Sequence, residues 1–221
     1  MPEKRSARPS RRQREREAHR RELVEAAERV FVREGYHGAT VDQIAQEAEF
    51  AVGTLYNFFK GKDDLYAHVT ERVARDFMGR FEDGVLSIAD PEKAVAALIE
   101  LRLTHFEDHR GFFRVFLEAS PGSQMDPAGA LPESCAGLYE QYMDAVTEIF
   151  RRGISQGVFD GLDPLYLTLC LDGIITAFTA YWSKREPAEP LAVRVEKMKG
   201  EFIGRLKRRG GEDGGGPSGL T

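Results

Sequence analysis

The chain has 221 residues, 42% of them hydrophobic and 30% charged, which is the composition of a soluble globular protein with room for one small and one larger domain. No apolar run is read as approaching the roughly 20 residues that span a bilayer, and the arginine-rich start lacks the apolar segment of a secretion signal, so a cytoplasmic protein with no membrane partner is expected. The net charge of −5 is unevenly spread: residues 1–62 hold 13 Lys and Arg against 10 Asp and Glu, and the remainder holds 18 against 26, so the first stretch is the positive one.

Residues 1–16 gather Lys4, Arg5, Arg8, Arg11, Arg12, Arg14 and Arg16 against Glu3 and Glu15. Such a segment is too polar to fold alone and is predicted to be a disordered basic arm. It is either a solubilising tail or a strand that tracks phosphates with salt-dependent affinity. A first helix is predicted from Glu15 to Glu34, with Leu23, Ala26, Ala27, Val30 and Phe31 on one stripe and Gly35 ending it. Thr40 followed by Gln43 is a capping box that starts a helix near Val41, with Ile44, Ala45 and Ala48 facing inward. Glu49, Phe50 and Ala51 form the next turn, and Phe50 is expected to plug the angle between helices. Glu49 must there adopt a conformation that glycine tolerates better, and Ala51 offers no cap, a loss of about 1 kcal/mol of local stability.

Val52 to Phe59 follows as a helix with Leu55 and Phe59 inward and Val52, Gly53, Tyr56 and Asn57 outward. That outer face carries no charge but has a glycine, a phenol and an amide, which suits close approach to a nucleic-acid groove. Two short helices around a tight turn are the layout of a helix-turn-helix DNA reader, although helical bundles that never touch DNA contain the same unit. A fourth helix opens at Lys62 with Asp63 and Asp64 at the positive end of its dipole. Leu65, Val69, Val73, Phe77 and Phe81 face inward along it, and its length suits a lever.

The run VGTLYNFFKGKDDL resembles the signature of the TetR family of transcriptional regulators, and the resemblance covers roughly residues 17 to 70. It implies that the third helix enters the major groove and that Thr40, Thr54, Tyr56 and Lys62 contact backbone phosphates. Val52 is then placed to touch a thymine methyl and Asn57 to reach an adenine or a phosphate, while Gly53 permits close approach. The chain departs from the family pattern at Glu49, where glycine is usual, at Ala51, where a serine-like cap is usual, and at Phe58, where many members carry His.

Beyond Asp90 the pattern stays helical, through Ala94, Leu98, Leu101 and Phe106, a break at His109 to Gly111, and a short aromatic helix. Residues 121–132, with three prolines and two glycines, are read as a mobile loop. Long helices are predicted at Glu133 to Gln156, Pro164 to Lys184 and Pro190 to Arg208, before a flexible glycine-rich tail. The helix from Leu165 to Trp182 is apolar nearly all round, which one small domain cannot cover and a homodimer can. In the family, the last two long helices pair in such an interface.

The expected fold is therefore all-α: a three-helix helix-turn-helix head over 17–62 behind the arm 1–16, a larger helical ligand-binding and dimerisation domain over 63–210, and a tail over 211–221. The resemblance implies an inducer pocket in the larger domain. Phe106, Phe113, Phe116, Tyr139, Tyr142, Met143, Ile174 and Phe178 are its candidate lining, with plain core packing as the alternative for each. A small hydrophobic inducer, of fatty-acyl, aromatic or drug-like kind, is implied, and a palindromic operator is the expected DNA partner. No cofactor and no metal are expected. Cys135 and Cys170 are far apart and read as reduced core thiols, and HFEDH at 105–109 lacks the arrangement of a zinc motif. The rival readings are a helical DNA-coating protein without ligand response and a helical enzyme, for which no nucleophile or ligand set is evident.

Overall fold

The computed structural model describes residues 10–120, 127–160 and 162–206. Its helices are α1 (Arg11–Gly38), α2 (Val41–Glu47), α3 (Val52–Tyr56), α4 (Lys62–Phe81), α5 (Pro91–Asp108), α6 (Arg110–Ala119), α7 (Pro127–Ala130), α8 (Glu133–Ser155), α9 (Pro164–Ser183) and α10 (Leu191–Leu206). A π-helical turn, Glu82–Leu86, follows α4.

Helix α1 starts four residues earlier than the sequence suggests. Ser10 caps it, its hydroxyl accepting from the Gln13 N–H while the Gln13 side chain accepts from the Ser10 N–H. The stretch 11–16 of the expected disordered arm is thus helical, and its 1–9 part lies outside the described residues. The expected loop at 121–126 and the expected tail at 211–221 also lie outside them; α7 occupies part of the remaining loop segment. Gly35, at φ 71°, breaks the α1 path just after Glu34.

The chain divides into two compact units. The first comprises 1–76 and 109–136, and the second 77–108 and 137–221. The first unit is built on α1 packed against α2 and α6, with a core of Leu23, Val30, Phe31, Ile44, Leu55, Phe59, Leu65, Val69, Phe112 and Val115 among others. Helix α6 comes so close to α1 that a Cβ added at Gly111 would lie 2.6 Å from Val32 Cγ1. In the second unit α10 packs on α5, and Phe81, Leu98, Ile99, Phe150, Leu171, Ile175 and Phe202 share its core.

Candidate nucleic-acid interface

The Thr40 box forms as expected. Thr40 Oγ1 accepts from the Gln43 N–H at 3.2 Å, and Gln43 Oε1 accepts from the Thr40 N–H at 2.9 Å. At the other end of α2 the Phe50 N–H donates to Ala45 O (2.9 Å) and the Glu49 N–H to Gln46 O (3.0 Å), the paired bonds of a Schellman stop. That stop needs a left-handed residue. Glu49 supplies it at φ 59°, the only non-glycine with positive φ among the described residues. Phe50 is half-buried against the first core, with its ring edge-on to His19 at 5.1 Å.

Helix α3 is shorter than the predicted Val52 to Phe59: Ala51 makes no side-chain cap at its start, and at its other end the Asn57 N–H turns to Thr54 O and closes the last turn after Tyr56. Leu55 and Phe59 are buried and fasten it from below. Gly53, Tyr56 and Asn57 are exposed, and Val52 and Thr54 half-buried, so the predicted outer face exists as a contiguous surface. An added Cβ at Gly53 would meet nothing within 4 Å, and its φ is not positive. The protein's own packing gives no reason for glycine there.

Lys62 has a second task that sequence reading did not reveal. Its ammonium donates to Ala39 O at 3.1 Å and His37 O at 3.4 Å and lies 4.9 Å from the centre of the Tyr36 ring. It ties the start of α4 to the connection after α1. Tyr36 donates to Asp63, and burial together with that carboxylate pushes the phenol up to about 12. Exposed Lys60 stands on the same edge, its N–H held by the Asp64 carboxylate at 2.8 Å; the KGK run was its signal in the sequence. From α1, Arg16 lies 5.7 Å from the centre of the Phe58 ring and Arg20 5.6 Å from that of Phe59. Phe58 thus anchors the arginine-bearing turns of α1 beside α3.

Comparison with known proteins bears on this surface directly. Residues 23–69 match the family of bacterial regulatory proteins, tetR family. Over these residues the chain is similar to the TetR family of transcriptional regulators. A fatty acid metabolism regulator protein of Bacillus subtilis is 25% identical over 166 residues, 73% of this chain and 81% of that one. The fold of this chain matches that of the fatty acid degradation regulator FadR from Bacillus halodurans, at a TM-score of 0.71 and 19% identity over 86% of this chain and 97% of that one. FadR from Bacillus subtilis, solved in complex with stearoyl-CoA, matches at a TM-score of 0.68 and 20% identity over 83% and 97%. The relatives are regulators, and this protein is a DNA-binding transcriptional regulator.

The candidate inducer-lining residues are distributed over both units. Phe113 and Phe116 belong to the first unit, where Phe116 packs on its core. Phe106, Tyr139, Tyr142, Met143, Ile174 and Phe178 belong to the second. Phe106 and Tyr142 are buried, and Tyr139 and Met143 half-buried. Ile174 and Phe178 are 40% and 46% exposed on α9, where they line a groove of about 740 Å³ with Tyr166, Trp182, Met198 and Phe202. Cys170 is exposed in that groove rather than in the core; only Cys135 is a buried thiol.

Helix α9 also corrects the membrane expectation. At 20 residues and a mean hydropathy of 1.3 it is long and apolar enough to span a bilayer, because its polar residues are mostly small threonines. Asp172 at its middle, however, is buried and paired with Arg102, the pattern of a helix packed on protein.

Proposed function

We propose that this protein is a cytoplasmic, dimeric repressor that sits on a palindromic operator and leaves it when a small hydrophobic inducer binds its second unit. Gly53 carries the DNA part of the reading. Neither backbone conformation nor internal crowding demands glycine at this position, and it stands on an exposed, uncharged face with Tyr56 and Asn57, where the missing side chain lets an external surface lie close against α3. Tyr56, Thr40, Thr54, Lys60 and Lys62 then position the head on phosphates, and Val52 and Asn57 face base edges.

The exposed apolar residues of α9, Leu165, Tyr166, Leu169, Phe178 and Tyr181, support a second copy as its cover. Two heads so joined would read half-sites one or more helical turns apart. The names of the relatives, a fatty acid metabolism regulator and a regulator complexed with stearoyl-CoA, favour an inducer with an acyl-like body. Release requires the inducer to prefer the non-binding state by several kcal/mol.

Duplexes selected from a random library test the reading. Gly53→Ala is expected to leave the melting temperature unchanged or raised while weakening duplex binding about tenfold or more. Lys62→Ala should weaken all sequences alike and lower the salt slope by about one. Unchanged duplex affinity in Gly53→Ala would remove α3 from the interface.

A further inference from the structure

The second unit holds a polar cluster inside its apolar core. One terminal nitrogen of Arg102 on α5 donates to Asp172 Oδ1 on α9 at 2.7 Å and to the Tyr142 hydroxyl on α8 at 3.1 Å; the other donates to Thr176 Oγ1 at 3.4 Å. The hydroxyls of Tyr139 and Tyr142 each donate to Asp172 at 3.4 Å. Asp172 is 6% exposed and Tyr142 3%. Around them lie Phe77 and Phe81, each with its ring centre 5.4 Å from that of Tyr142.

Packing alone does not call for this cluster, since replacing a buried ion pair by apolar side chains of similar volume is often neutral or stabilising. Nor do these acceptors saturate the Arg102 guanidinium. A guanidinium has five N–H donors, more than the acceptors just named, and three of the five contacts are stretched to 3.4 Å, close to the limit of a hydrogen bond. Arg102, Tyr139 and Thr176 are half-buried, so the cluster keeps an open side. A few fixed polar groups within an aromatic and aliphatic wall are what orients a mostly apolar ligand.

Charge then selects the ligand's polar group. Arg102 and Asp172 cancel each other, and a carboxylate drawn in beside them would bury a net negative charge. A neutral group keeps the balance. It can accept from Arg102 or a tyrosine hydroxyl and, where it has a hydrogen, donate to Asp172.

We propose that Arg102, Asp172, Tyr139 and Tyr142 form the polar end of an effector site in the second unit, and that this site takes the neutral hydrogen-bonding group of an otherwise apolar ligand, a hydroxyl, ketone, ester or amide, in preference to a carboxylate. The inference rests on the reading of the protein as a ligand-responsive regulator and adds the chemical class of the ligand.

Calorimetric titration of the full chain with decanol, methyl decanoate and decanoate near neutral pH tests it. The wild type is expected to bind both neutral compounds at least about tenfold more tightly than decanoate. Asp172→Asn, which removes the negative charge at constant shape, should reverse that order. Tyr139→Phe, at a half-buried position, should stay folded and weaken decanol binding. Decanoate binding as tightly as decanol, an unchanged order in Asp172→Asn, or no binding of any of the three overturns the subsite. Duplex binding measured on the same preparations keeps the two claims apart. Intact DNA binding with no ligand binding sinks the subsite alone, and ligand binding in the expected order without affinity for any duplex sinks the regulator reading alone.

Discussion

Glu49 holds a left-handed backbone conformation that costs a residue with a Cβ roughly 1–2 kcal/mol, and it does so because the paired Schellman bonds that stop α2 leave no other geometry. Glycine removes that strain and returns some of the gain as chain entropy. Glu49→Gly is therefore expected to stabilise the protein by about 0.5–1 kcal/mol, read as a higher urea midpoint at unchanged slope. Tyr66 makes a pH prediction. Burial pushes its phenol up to about 12 from an ordinary value near 10. A group whose pKa is raised by folding contributes stability below its unfolded value, and that contribution disappears as pH climbs through the folded one. The protein should lose stability between about pH 10 and 12, and Tyr66→Phe should flatten that part of the profile; an identical profile for the variant would assign the loss to other groups. Lys62 illustrates a limit of reading single residues from sequence. Its place at the head of α4 was visible from the adjoining DD pair, but its bonds to the carbonyls of His37 and Ala39 depend on how the chain turns after Gly35.

Local rules were most legible where they are purely local. The Thr40 box, the strained position at 49, the missing cap at 51 and the inward pair Leu55 and Phe59 all follow from spacings of a few residues, and each is found in the structure. The start of α1 was missed because a dense run of arginines looks unfoldable, whereas Ser10 and Gln13 form a box that holds the helix end regardless of the charges beyond it. The partners of α6 were not legible either. Its aromatic content reads equally well as pocket wall or core, and only the fold sets Phe112 and Val115 into the core under α1. Gly111 records that contact. Since an added methyl would press on Val32, Gly111→Ala should cost roughly 1–3 kcal/mol by overpacking, and a Val32→Ala change in the same chain should recover part of it. An additive double variant in thermal melts would refute the direct contact.

Across the whole molecule, the helix that length and hydropathy would allow into a bilayer is the one proposed to meet a second copy. Periodicity could say only that α9 needs covering on all sides. The structure divides that demand, with Leu167, Leu171 and Ile175 buried within the unit and Leu165, Tyr166, Leu169, Phe178 and Tyr181 left outside. Phe178→Lys should accordingly weaken self-association by about tenfold or more without unfolding the chain, and light scattering across a dilution series would detect it. A variant that associates as the wild type does would move the interface off α9.

The chain's one tryptophan, Trp182, lines the groove between α9 and α10 with the Arg194 guanidinium 4.7 Å from its ring centre and the Phe178 ring 5.2 Å away. Emission excited at the red edge of the ultraviolet band, where the seven tyrosines scarcely absorb, therefore originates from a single indole beside the very surface proposed to be covered. Nature has installed an optical gauge there, and subunit exchange can be followed by colour and intensity without attaching a dye.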